Sequence, residues 1–352
     1  MDIKKLFRFA AEHQASDIHL FFGQAPILRI DGELVDASTI DQSAGFSPLS
    51  ALDLEGLLDV FLTKEQRQRF LLDRDLDLGY QIDNYRYRIN FAFEKNNIMV
   101  SARVISDKKQ ALTEIGMPPI IEKLLDLPQG FILVTGPTGC GKSTTLASMI
   151  NYINDNKSRH IVTLEDPIEY IFQPNKSVIS QRQLGTDMNS FAGGLKHVLR
   201  QDPDVIMIGE MRDPETISTA VTLAETGHLV LATLHTYSAA QTIDRIIDTF
   251  PPYQQSQVKS QLSSVLSAVI SQRLLPLRSS GRVAAHEILI NNSAVANLIR
   301  EGKIAQIKST IETGASFGMI TLDKHIKQLY QEGKIEREVA ERDMEDPKLL
   351  DN

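Results

Sequence analysis

Residues Gly136, Pro137, Thr138, Gly139, Cys140, Gly141, Lys142 and Ser143 match the pattern G-x-x-x-x-G-K-[ST]. Glycines at these places let backbone N–H groups turn inward around phosphate oxygens, and a helix starting at Lys142 adds the positive end of its dipole. In such a loop Lys142 reaches the β- and γ-phosphates, and the hydroxyl of Ser143, followed by Thr144, sits at the accompanying Mg²⁺. The context fits, because the apolar run "FILVT" precedes the loop and a helix-forming run follows it. Cys140, the single cysteine, falls at an unspecified position of the pattern and reads as a small filler rather than a nucleophile. These residues say that a nucleotide is held by its phosphates. They leave open whether it serves a kinase, a GTP switch, a DNA pump or a force-generating ring.

Hydrolysis also needs groups that hold the metal and orient water. In an open parallel sheet such groups lie at the carboxyl ends of strands. "HIVTLEDPIEY" ends an apolar run in Glu165 and Asp166, and "PDVIMIGEMRD" ends another in Gly209 and Glu210. An aspartate is the usual residue directly after the second run; here Gly209 stands there, so Glu210 is placed on the metal side and Glu165 as the water-polarising base. The bland alternative is that one of the two only caps a helix or faces solvent. "TGHLVLATLHT" carries His228 and His235 at opposite ends of one strand. A continuous strand would separate them by roughly 23 Å, so they cannot share a metal. His235, with Thr236, falls at the carboxyl end and is the expected γ-phosphate sensor. His228 is left as a protomer contact or a structural histidine. Phosphoryl transfer also gains from a cation aimed at the γ-phosphate. Arg86 and Arg88 in "YRYRINFAFE" share one strand face, and Arg103 lies in "SARVI". A solvated strand face explains such arginines equally well, and Arg200 and Arg212 are further candidates.

The elements that must position these residues follow from the pattern along 352 residues, a length expected to make about two domains. Residues 1–106 read as a small α+β domain, with a basic amphipathic helix at the start and a hairpin turning at Asp31–Gly32. Residues 41–51 read as a loop and the stretch from Leu52 to Asp73 as helical. Residues 107–119, polar and ending in two prolines, read as a linker or hinge. From 120 to 272 strands alternate with helices, which argues for a mostly parallel sheet covered on both faces. From about residue 255 the pattern becomes mainly helical, and 273–352 is expected as a helical region with a β-hairpin near "RVAAHEILI". The net charge of -8 makes a general nucleic-acid clamp a poor expectation. One cysteine forms no internal disulfide and no multi-cysteine zinc site. No apolar run reaches the roughly 18 residues that span a bilayer, and the charged opening "MDIKKLFRFAAEHQ" lacks a secretory core, so a cytoplasmic location is expected.

Taken together, "GPTGCGKSTTL", "TLEDPIEY", "DPDVIMIGEMRDPET" and "TGHLVLATLHT" resemble the Walker A, Asp-box, atypical Walker B and His-box motifs of the secretion ATPase superfamily. "ASDIHL", "LTEIGMP" and "GRVAAHEILI" extend that resemblance over nearly the whole chain. Within the superfamily the chain is similar to the pilus retraction ATPases of twitching motility. "AVANLIRE" is similar to that group's "AIRNLIRE", with Val295 and Ala296 departing, and "GMITLD" is similar to its "GMQTLD". No tetracysteine zinc site of the extension and type II secretion motors is present.

The resemblance implies a RecA-like P-loop core with a mostly parallel sheet, preceded by a small PAS-like α+β domain and followed by the mainly helical region. It implies a homohexamer that hydrolyses ATP with Mg²⁺ held by Ser143 and Glu210, and Glu165, Glu210 and His235 in the catalytic roles above. Arg88 and Arg103 resemble the arginines that the first domain lends to the nucleotide. The implied partner is a pilus platform protein in the inner membrane, with other pilus ATPases and no nucleic acid, at the inner face of the cytoplasmic membrane. A pilus-extension or type II secretion motor, or a non-hydrolysing ATP-binding adaptor or accessory paralogue, are the alternatives.

Overall fold

The structure, a computed structural model, describes residues 2–30, 32–41, 45–105, 110–279 and 281–351. Asp31 of the expected turn, residues 42–44 of the expected loop, 106–109 at the start of the expected linker, and residue 352 lie outside them. The chain divides into two compact units: one holds the chain through the last N-terminal strand together with Pro167–Ile171, the other holds the rest.

In the first unit α1 (Ile3–Glu12) precedes β1 (Asp17–Leu20), β2 (Ile27–Ile30) and β3 (Glu33–Asp36). There follow α2 (Ala37–Ile40), α3 (Ala51–Phe61), α4 (Lys64–Asp73), β4 (Asp75–Ile82), β5 (Tyr85–Glu94) and β6 (Asn97–Ile105). Among the described residues the strands form one six-stranded sheet in the order β3-β2-β1-β6-β5-β4. Alternation along β5 sends Tyr87, Ile89 and Phe91 inward and Arg86, Arg88 and Asn90 to the other face. The inward face packs on α1, α3 and α4 through aromatic rings, with Phe7 5.0 Å from Tyr87 and 5.1 Å from Phe61 between centroids. The buried Tyr87 hydroxyl donates to the carbonyl of Phe7 at 2.9 Å. The apolar face of α1 is thus spent on its own unit, with Lys4, Lys5 and Arg8 outward, rather than offered to a bilayer. The helical stretch from Leu52 to Asp73 is broken at Leu62, where the backbone is extended. Thr63 and Gln66 then form a reciprocal capping box that starts α4. Two helix-competent runs in sequence hide that break, because capping residues are polar on either reading.

The second unit contains α5 (Ile120–Leu125), β7 (Gly130–Thr135), α6 (Lys142–Asn156), β8 (His160–Glu165), β9 (Val178–Gln183), α7 (Phe191–Val198), β10 (Val205–Ile208), α8 (Pro214–Glu225) and β11 (Leu229–Leu234). It continues with α9 (Ala239–Asp248), α10 (Pro252–Val265), β12 (Leu266–Pro276), β13 (Arg282–Ile290), α11 (Ser293–Glu301), α12 (Ile307–Thr313), α13 (Leu322–Gln331) and α14 (Arg337–Asp343). Among the described residues the sheet has seven strands in the order β13-β12-β7-β11-β10-β8-β9. All pairs are parallel except β12 with β13. β7 and β11 are buried at every residue, as expected of a parallel sheet covered on both faces. β12 departs from the helical expectation after residue 255. Between 255 and 276 only α10 is helical, and 266–276 adds a strand beside β7, whereas α11 to α14 follow as the expected helices.

α13 packs on β13 beside a histidine pair, one member buried and the other half-buried. His286 is fully buried and its ring centroid lies 5.3 Å from that of His325, whose Nδ1 accepts the His286 backbone N–H at 2.9 Å. Burial, with the facing His325 ring, pushes the His286 pKa from 6.5 down to about 3. Burial also lowers that of His325. Folded-state values below the unfolded one mean that this stabilisation is complete above the unfolded pKa and is lost as pH falls. Stability should decline below about pH 6.5 by up to roughly 1.4 kcal/mol per pH unit from His286, and His325 should add to the decline in the same direction. In urea unfolding between about pH 7 and about pH 5, above most carboxylate titration, His286→Met should make that slope clearly shallower. A slope equal to that of the wild type would refute the assignment.

Candidate active site

β7 delivers the chain into the loop at Gly136, whose φ is 142°, and the loop closes through Gly139 at 80° and Gly141 at 92°. These values suit glycine and disfavour residues with a Cβ. Gly141 is the N-cap of α6 and no side chain caps that helix, an arrangement suited to receiving an anion. Lys142 Nζ donates to the carbonyls of Gly136 at 2.8 Å and Pro137 at 3.1 Å, which folds its stem over the loop. Ser143 is exposed and Thr144 half-buried at the same helix start. Cys140 is buried, which pushes its thiol above the usual range and makes a thiolate nucleophile unfavourable.

Parallel pairing places the carboxyl ends of β7, β11, β10 and β8 side by side. Thr135 pairs with Leu234, Ile208 with Ala232, and Ile208 with Leu164. The loop, His235, Glu210 and Glu165 therefore leave one edge of the sheet. At a strand spacing near 4.8 Å, the strand of Glu210 lies roughly 10 Å and that of Glu165 roughly 14 Å from β7. Glu165 is buried, and its Oε1 accepts from Thr163 Oγ1 at 2.7 Å and Gln181 Nε2 at 3.0 Å. Glu210 is mostly buried; its Oε1 meets Arg212 at 2.8 Å and its Oε2 lies 3.5 Å from His235 Nε2. Gly209 takes the usual aspartate position for a steric reason. A Cβ there would stand 3.2 Å from the Leu164 carbonyl oxygen and 3.4 Å from the Glu165 Cα. The Gly209 N–H donates to that same Leu164 carbonyl at 2.8 Å, which brings the two acidic strand ends together.

His228 lies at the amino end of β11. Its Nδ1 is 2.9 Å from the Leu223 carbonyl at the end of α8, so within this chain it closes a helix. His235, at the other end, is exposed. Behind it runs a chain of buried hydroxyls that sequence reasoning missed. Thr236 Oγ1 is 2.7 Å from Thr242 Oγ1, which is 3.5 Å from Thr135 Oγ1, itself 2.8 Å from Ser271 Oγ. The available signal was polar residues inside apolar strands, but threonine and serine are common in strands and carry no weight alone. The carboxylate of Glu287 on β13 was also missed. It accepts the Ala239 N–H at 2.7 Å and so holds the start of α9, just after the His235 loop.

In the first unit Arg88 and Arg103 stand directly opposite each other on β5 and β6. Arg88 lies 3.9 Å from Asp77, and Arg103 lies 2.9 Å from Asp17. Like charges facing across a ladder destabilise a sheet, and half-exposed ion pairs offset that only weakly. Arg86 donates to the Ile168 carbonyl at 2.9 Å within the same unit.

One exposed hydroxyl, one carboxylate and a glycine cradle suit Mg²⁺ carried in on phosphates better than a cation caged by protein alone. Among the described residues no cluster of three or more His, Cys, Asp or Glu side chains is arranged to hold a metal. The family model for type II/IV secretion system protein matches residues 1–350. The chain belongs to this family. Among type II/IV secretion system proteins, it is 44% identical to the type IV pilus retractation ATPase PilT of Pseudomonas aeruginosa over 97% of each chain. A twitching motility protein of Neisseria gonorrhoeae is 45% identical over 90% of this chain and 83% of its own. A crystal structure of the pilus retraction motor PilT with bound ADP superimposes with a TM-score of 0.91 at 41% identity, covering 100% of this chain and 99% of that one. Among the described residues no helix is long and apolar enough to cross a membrane.

Proposed function

We propose that the chain is a motor ATPase that couples ATP hydrolysis to retraction of a type IV pilus. The observation that carries this reading is the end-to-end likeness to the Pseudomonas pilus retractation ATPase, joined to a sheet edge that collects loop, acids and histidine. Backbone N–H groups of residues 136–144 and the Lys142 ammonium grip the phosphates. Ser143 and Glu210 would hold Mg²⁺, which when bound neutralises charge on the β- and γ-oxygens. Glu165, one strand further out, orients water against the γ-phosphorus and takes its proton. His235, beside Glu210, senses the γ-phosphate and reports its loss to the start of α9.

Arg88 and Arg103 supply the cation. Their mutual repulsion favours an anion near them, and the γ-phosphate is the anion that appears and disappears each cycle. Drawing the first unit toward nucleotide and releasing it after hydrolysis would turn charge into rotation about residues 107–119. Six copies in a ring, on the cytoplasmic side, would pass that rotation to a platform protein of the inner membrane and work beside other pilus ATPases, without nucleic acid. In a deletion strain, surface filaments should accumulate and twitching should stop. Wild type should restore both, and Arg88→Ala with Arg103→Ala should not, although it still binds ADP. Normal twitching in the deletion strain would sink the retraction reading.

A specific observation favours a second reading. Val295 is buried in α11, but Ala296, where the retraction group carries arginine, is half-exposed and presents no charge. An accessory paralogue would hydrolyse ATP yet leave the deletion strain twitching.

A further inference from the structure

Gln272 is a polar residue in the middle of the apolar strand β12, and it is only 2% exposed. Its carboxamide is used at both ends. Nε2 donates to the Cys140 carbonyl at 2.6 Å, and Oε1 accepts from the Thr145 hydroxyl at 2.9 Å. Its own backbone carbonyl oxygen lies where a Cβ on Gly136 would come within 2.4 Å, and its Nε2 lies 3.2 Å from the corresponding point on Gly141. Gln272 therefore flanks the phosphate loop twice over: its backbone carbonyl closes the space beside the first glycine, and its side chain bonds Cys140 and lies beside the last glycine.

The Cys140 bond has a directional consequence. In a trans peptide the carbonyl and the following N–H point opposite ways. Holding the Cys140 carbonyl toward β12 turns the Gly141 N–H away from β12, to the open side of the loop. The Thr145 bond fixes the first turn of α6 against the same strand, so the helix dipole keeps its aim. β12 has the reach to do this because it runs parallel to β7 with Ser271 beside Thr135.

We propose that Gln272 is a positioning residue for nucleotide binding: it sets the phosphate loop and the start of α6 in the conformation that receives phosphates. It touches no nucleotide itself, and the proposal rests on the nucleotide-binding reading of the loop. Losing a uniform binding contribution raises KM and leaves kcat nearly unchanged. Gln272→Met keeps the volume and removes both bonds, so ADP affinity should fall by about tenfold and the KM for ATP should rise by a similar factor. The kcat at saturating ATP should stay within about threefold. Gln272→Glu keeps the acceptor for Thr145 and regains a donor only when protonated. Its ADP affinity relative to wild type should improve from about pH 8 to about pH 6, which loss of packing alone would not produce.

The measurements are ADP binding by fluorescent-analogue displacement, steady-state hydrolysis, and thermal unfolding without nucleotide, all on the full chain. Thr145→Val removes one of the two bonds from the helix side and should weaken ADP by about threefold to fivefold. It decides the matter alone if Gln272→Met fails to fold. Folded variants with wild-type ADP affinity overturn the proposal. Wild-type protein that fails to bind ADP overturns the underlying site reading as well.

Discussion

Glu165→Gln should reduce ATP turnover by about 10²- to 10⁴-fold while ATP remains bound, the range expected when a general base is removed. The carboxylate is buried at the end of β8, where two hydrogen bonds converge on one of its oxygens. Glutamine matches it in size and keeps an acceptor for Thr163, so the pocket should survive and the lost property is proton acceptance. Binding should be nearly unchanged because the loop stands on β7, with β11 and β10 between it and β8. Single-turnover hydrolysis with radiolabelled ATP, alongside an equilibrium binding measurement, separates the two effects. Turnover within a few-fold of wild type would remove Glu165 from the reaction and pass the base to another group. Turnover absent from wild type as well would favour the adaptor alternative.

Gly136→Ala should weaken ADP binding by roughly 10- to 100-fold, corresponding to a few kcal/mol of backbone strain and displaced contacts. At a φ of 142° a Cβ would lie 2.4 Å from the Gln272 carbonyl oxygen and 2.6 Å from Cys140 Sγ. The first of these is backbone of a paired strand and cannot rotate aside, so the loop must move instead. Gly23→Ala provides the comparison, since Gly23 has a φ of 75° but nothing within 4 Å of its would-be Cβ. It should cost roughly 1 kcal/mol of stability and leave nucleotide affinity alone. Calorimetric titration with ADP checks both variants. Equal affinity for Gly136→Ala and wild type would show that the loop does not need its present geometry.

Much of the site was legible because it is built from short runs. The apolar segment before Gly136, the acids after "HIVTL" and "DVIMIG", and the histidine after "LVLATL" each sit at the end of a run whose strand character is local. Opposite ends of one strand also separated His228 from His235 without any tertiary information. β12 was not legible, since its partner across the sheet is 136 residues away in the chain and its flanks favour helix. The supporting polar atoms were hidden for the same reason. Gln181, Gln272, Glu287 and Thr242 become informative only when non-local packing brings each to a backbone or carboxylate group of the site.

The amino-acid sequence alone determined which residues stand at the candidate site: the glycine-rich loop before Lys142, the strand-end acids Glu165 and Glu210, His235 after a strand, and the arginines of β5 and β6. These follow from residue types and from periodicities set by the backbone within a few residues. The order in which strands lie side by side was decided only by the tertiary structure, as was the tight fit of Gly209 against Leu164 and Glu165. It also decided that a glutamine on a distant strand touches the loop. Hydrogen bonds and close contacts between segments far apart in the chain depend on where each segment docks, and the local pattern of a segment carries no record of its neighbour.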